Sequence, residues 1–134
     1  MPNVDVVDST WFATRPSTIA AIVARPANWR LWWPGLDLRV DEWRGEKGVR
    51  WFVSDVDHGP ATGLSGTAEV WLAAAFEGVV AHFFLRLEPA GEQRLSARAV
   101  EAVERHYRVL TKQAFWSLAD QLDPGRMTRH TSAR

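Results

Sequence analysis

The residues of this chain with chemistry to offer are four histidines, sixteen acids and one tyrosine; there is no cysteine. His58 stands in the segment 54–63, SDVDHGPATG, with Asp55 and Asp57 close by. A histidine flanked by carboxylates in a loop over a cavity can serve as a general base, because its proton exchanges near neutral pH. The same composition also makes an ordinary turn. His82 alternates with apolar neighbours in 79–88 and reads as facing solvent. His106 stands one position off an apolar helical stripe and reads as a surface residue, and His130 lies near the C-terminus. No two histidines have metal-ligand spacing, so no metal site is expected.

Among the other candidates, Asp55 shares strand parity with Val49, Trp51 and Val53, which directs its carboxylate inward if the alternation holds to the strand's end. Glu69 lies on an alternating strand and reads as solvent-facing. Tyr107 falls on a helical apolar stripe and would place a hydroxyl in an apolar interior, where it needs a partner. The absence of cysteine excludes thiolate nucleophiles, disulfides and thiolate metal sites. No G-x-S-x-G elbow supports a serine hydrolase. The GEKG at 45–48 lacks the phosphate-cradle pattern.

The elements that must position these residues follow from periodicity. Residues 4–13, VDVVDSTWFA, read as a strand. Two short helices follow in 15–33, with Thr14 available as a cap, Pro16 in the first turn of one and Pro26 opening the next. Period-two segments at 36–44, 49–56, 65–75 and 79–88 predict an antiparallel sheet, with 57–63 as a loop. A stripe of Val100, Val103, Tyr107, Leu110, Ala114, Leu118 and Leu122 predicts a helix over about 96–122, with Val109, Phe115 and Trp116 widening it. The prediction is therefore α+β, with five to seven strands. One domain is expected over 1–123, followed by a flexible tail at 124–134.

Sixteen basic residues balance sixteen acidic ones, which weighs against a nucleic-acid partner. No apolar run approaches the ~20 residues of a membrane span, and residues 1–10 carry no secretory signal pattern. These features predict a cytoplasmic protein without integral membrane contact.

The stretch 11–36, WFATRPSTIAAIVARPANWRLWWPGL, resembles the opening of the polyketide cyclase/dehydrase, START lipid-transfer and birch-pollen-allergen superfamily. GVRWFV, SGTAEVWL and GVVAHFFLRLEP are similar to its strands. The resemblance implies a helix-grip fold, a curved antiparallel sheet wrapped around a long C-terminal helix. It also implies a small-molecule-binding protein whose partner is an apolar, aromatic or lipid-like ligand, with no cofactor. The expected ligand-binding residues are Trp33, Trp51, Asp55, Phe83, Leu85, Tyr107 and Leu110. Two alternatives stay open: a cyclase or dehydratase using Asp55, His58 or Tyr107, and a homodimeric interaction module with a filled core. Strand parity places Trp43, Phe52 and Trp71 on the outer sheet face, as a dimer would require. The tryptophans of 29–33 read as core or rim packing, a ligand-contacting lid, or a stacking platform.

Overall fold

Buried and exposed residues alternate without a break through the first strand, β1 (Val4–Phe12), in which Val4, Val6, Asp8, Thr10 and Phe12 face inward. Two short helices come next, α1 (Pro16–Val23) and α2 (Pro26–Trp32), each with proline in its first turn. The residue ahead of each, Arg15 or Arg25, is extended and makes no side-chain cap. A residue preceding proline is held out of the helical region, so the cap position falls on Arg15 and not on Thr14. These descriptions come from a computed structural model covering residues 3–59 and 61–123. The expected tail at 124–134, including His130, lies outside the described residues.

The remaining strands are β2 (Asp37–Trp43), β3 (Gly48–His58), β4 (Ala61–Ala75) and β5 (Gly78–Glu88). They form one antiparallel sheet with β1, in the order β1-β5-β4-β3-β2. Five strands is the lower end of the expected range. The segment 57–63 is not the loop its composition predicts. β3 runs on to His58 and β4 starts at Ala61, because Val56, Ala61 and Leu64 continue the buried line.

Two bulges alter the parity that simple alternation predicts. The register of β3 on β4 shifts between Val53 and Val56, and Asp55 takes a left-handed φ of 55°. Val56 takes the inward position and Asp55 is exposed, so its carboxylate does not face the interior. A second shift, between Val40 and Glu42, sets Trp43 opposite the buried Val49. Trp43 therefore lies on the helix side of the sheet, its ring 6.3 Å from that of Trp29. Phe52 and Trp71 keep the expected outward direction, paired with the outward Arg39 and His82.

The long helix, α3 (Ala97–Leu122), is capped by Ser96, whose hydroxyl accepts from the Ala99 N–H at 3.1 Å. Its buried line runs Val100, Val103, Tyr107, Thr111, Phe115, Leu118 and Ala119. From Tyr107 to Phe115 the line advances by fours and then reaches Leu118 and Ala119, within the mix of three- and four-residue steps that 3.6 residues per turn requires. Thr111 and Phe115 thus take the central places, and Leu110, Ala114 and Leu122 are only partly buried. Polar clips tie α3 to the edge strand. Lys112 pairs with the inward Asp8 at 3.0 Å and donates to the Ser9 carbonyl, while Glu104 accepts from the Asp5 N–H.

Candidate ligand site

Trp33 ends α2, and Pro34-Gly35 then turns the chain into β2. Gly35 has a φ of 98°, a conformation open to glycine at little cost. The turn drives the Trp33 indole between sheet and helix, where none of it meets solvent. There it stacks on Phe83, with ring centroids 4.8 Å apart and planes 15° from parallel. Trp51 and Phe115 meet it edge-on at 5.9 and 6.1 Å. Trp29 in turn meets Trp51 edge-on at 5.1 Å. Such aromatic pairs contribute about 0.5–1.5 kcal/mol each beyond their buried area. Phe83 and Leu85 enter from β5 opposite Val70 and Ala68 of β4, all four fully buried.

Of the polar groups in this cluster, one buried donor lacks a hydrogen bond. The Trp33 indole N–H donates to the Thr111 hydroxyl at 2.9 Å, which donates to the Tyr107 carbonyl at 2.7 Å. The Trp51 N–H, on a fully buried ring, has no acceptor among the described residues. An orphaned buried donor costs about 1–3 kcal/mol. The Tyr107 hydroxyl rests against the turn, since a Cβ on Gly35 would lie 3.5 Å from it. Burial raises the Tyr107 pKa above its ordinary value.

The structure brings Trp33, Trp51, Phe83, Leu85 and Tyr107 into the buried core and leaves Asp55 outside it. Leu110 turns toward a groove of about 530 Å³ between α1–α2 and the C-terminal half of α3, floored by Ile22, Trp32 and Leu118. Of the expected residues, Leu110 alone lines one of the four described cavities. His58 and His106, which sequence reading keeps apart, stand 4.8 Å apart, and the His106 ring lies another 4.8 Å from that of Tyr107. Desolvation, and then the charge of His58, hold His106 below its ordinary pKa. His82 receives or gives a 2.7 Å hydrogen bond with Ser9 on the outer sheet face, and Glu69 pairs there with Arg44 at 2.8 Å. Among the described residues no three metal-ligating side chains gather. Sequence reading missed Thr111, whose signal was the four-residue step linking Tyr107, Thr111 and Phe115.

A sheet in this order, two short helices after its first strand and a long terminal helix across its inner face define the architecture. The fold is the helix-grip fold. Solved structures share it with this chain. The Aha1 dimer from Colwellia psychrerythraea matches with a TM-score of 0.62 and 13% identity, over 90% of this chain and 96% of its own. A protein from Mesorhizobium loti matches at 0.65 and 14% identity, over 89% and 98%. The two-domain ARO/CYC StfQ of the steffimycin biosynthetic pathway matches at 0.53 and 13% identity, over 94% of this chain and 52% of that one. No family model and no curated protein matches the sequence. Among the described residues no helix is long and apolar enough to cross a membrane.

Proposed function

We propose that this helix-grip protein is a cytoplasmic binder of a small apolar or aromatic molecule carrying a hydrogen-bond acceptor. The site is the core beside the Trp33–Gly35 turn, between the sheet and α3. One observation carries the reading: the Trp51 indole N–H is buried without an acceptor. Small-molecule sites are apolar chambers with a few placed polar groups, and the Trp51 N–H and the Tyr107 hydroxyl are two such groups in an otherwise aromatic interior. A ligand acceptor on Trp51 would recover the cost of the orphaned donor. The surrounding rings are in direct contact, so a ligand entering here separates them as it binds, and tryptophan emission changes with occupancy.

The test is titration with prodan, a neutral naphthalene bearing one ketone acceptor and an environment-sensitive emission. Wild type is expected to bind it saturably with a blue shift. Phe83→Trp should abolish binding while the variant keeps its far-UV circular dichroism, and Tyr107→Phe should weaken it if the hydroxyl is a second handle. Absence of saturable binding to the folded wild type contradicts the proposal.

A further inference from the structure

The sheet has a second face, turned away from the helices, and its side chains are unusual for a surface left to water. The register places Val7 opposite Phe84, Trp11 opposite Val80 and Trp71 opposite His82 on this side, with Phe52 one strand further on. Val7, Trp11, Trp71 and Phe52 remain 54, 39, 38 and 42% exposed. We propose that this convex face is the surface on which two copies of the chain associate.

Its tryptophans are fixed in place before any partner arrives. The Trp11 indole donates to the Ala75 carbonyl at 2.9 Å. Its ring covers Gly78, where a Cβ would come within 2.7 Å of two ring atoms. Gly78 is not among the residues of positive φ, so room for the ring, rather than backbone freedom, is what the glycine provides. Trp71 is held from above by the Arg44 guanidinium, 5.3 Å from its ring centre and itself paired with Glu69. Held aromatics lose little rotamer freedom on association, and tryptophan and arginine are enriched among residues that dominate binding energy.

Size and charge both fit a second copy. Four adjacent strands of about nine residues span roughly 30 by 19 Å, about 570 Å² in projection before side-chain relief is added. A stable interface takes about 800 Å² of accessible surface from each partner, so this face alone approaches the requirement. Its borders carry both signs, as Asp5–Arg86 at one end and Arg50–Asp41 along the β2 side, while the Arg44–Glu69 pair reaches in to the middle strand beside Trp71. In a two-fold pair each border can meet its opposite. The chain's formal net charge of zero removes long-range repulsion between copies. None of this depends on the ligand site, which lies on the other side of the sheet.

Sedimentation velocity of the full chain across the micromolar range tests the proposal. Wild type should move from monomer to dimer with rising concentration. Trp71→Glu, on the middle strand, should raise the dimer Kd by about 30-fold or more, the loss expected of a central interface residue, and Val7→Glu, outward on the edge strand, should raise it by a smaller factor. Leu31→Glu, on the exposed part of α2, should leave the Kd unchanged. Circular dichroism and thermal midpoints identify any variant that fails to fold, and the second substitution then stands in for it. A wild type that stays monomeric throughout overturns the proposal. So does a dimer whose Kd neither folded variant changes.

Discussion

Replacing Thr111 with valine removes one oxygen from the centre of the molecule and nearly nothing else. Thr111 is fully buried, and its hydroxyl is the sole acceptor for the Trp33 indole, itself fully buried. Valine has almost the same shape, so no appreciable cavity forms and the cost reduces to the orphaned indole donor, about 1–3 kcal/mol. The hydroxyl's own bond to the Tyr107 carbonyl adds little, since that oxygen keeps its helical partner. For a domain of this size the loss corresponds to a fall in Tm of roughly 3–10 °C. Trp33→Phe destabilises for a different reason, the area and stacking lost with the larger ring. In that background no indole N–H remains to be stranded, and Thr111→Val should then cost close to nothing. Urea unfolding of the four proteins in this cycle should give a coupling of about 1–2 kcal/mol. Additivity within about 0.5 kcal/mol would refute the assignment of this bond as the tie between α2 and α3.

The histidine contact predicts a pH dependence. His106 is held below its ordinary pKa, so the unfolded chain takes up a proton before the folded one does. Stability is fully present above pH ~6.5 and is lost as pH falls from there through the lower folded-state pKa. Thermal melts from pH 8 to 5 should show this slope in wild type and a shallower one in His106→Gln, whereas equal slopes would exclude the contact as its source. Asp8→Ala leaves Lys112 without the carboxylate now 3.0 Å away. The lysine is partly exposed, so the loss should be moderate, about 1–2 kcal/mol by chemical denaturation, and a neutral result would show the clip to be incidental. Gly78→Ala forces the Trp11 ring off its shelf, since the new Cβ also meets the Phe12 carbonyl at 2.3 Å. It should lower Tm and weaken self-association together.

The order of elements was legible because each strand and helix carries its own period, and burial follows that period closely in β1 and β5. What escaped was local and came from bulges. A strand that inserts one residue reverses every side chain beyond it, and nothing in DEW or SDV marks the insertion. Trp43 and Asp55 consequently point opposite to their expected directions. The aromatic character of the core is readable in the sequence, since Trp33, Trp51, Phe83 and Tyr107, named there as expected ligand-binding residues, are all buried. The Thr111 tie is not, because a threonine between apolar residues carries no sign of whether its hydroxyl meets a carbonyl or an indole across the core. The contact of His58 with His106 depends on the length of the β3–β4 hairpin, which its Gly and Pro content disguised as a loop.

The central claim is that the buried Trp51 N–H waits for an acceptor that a small molecule supplies, and indole N–H resonances report on it directly. The chain has eight tryptophans, and Trp51→Phe identifies the signal in a ¹H–¹⁵N spectrum. On addition of prodan the Trp51 proton should move downfield, as a new hydrogen bond requires, while the Trp33 signal, already bonded to Thr111, keeps its position more nearly. A Trp51 resonance that stays in place while prodan binds, or a protein that binds no prodan at all, would contradict the account.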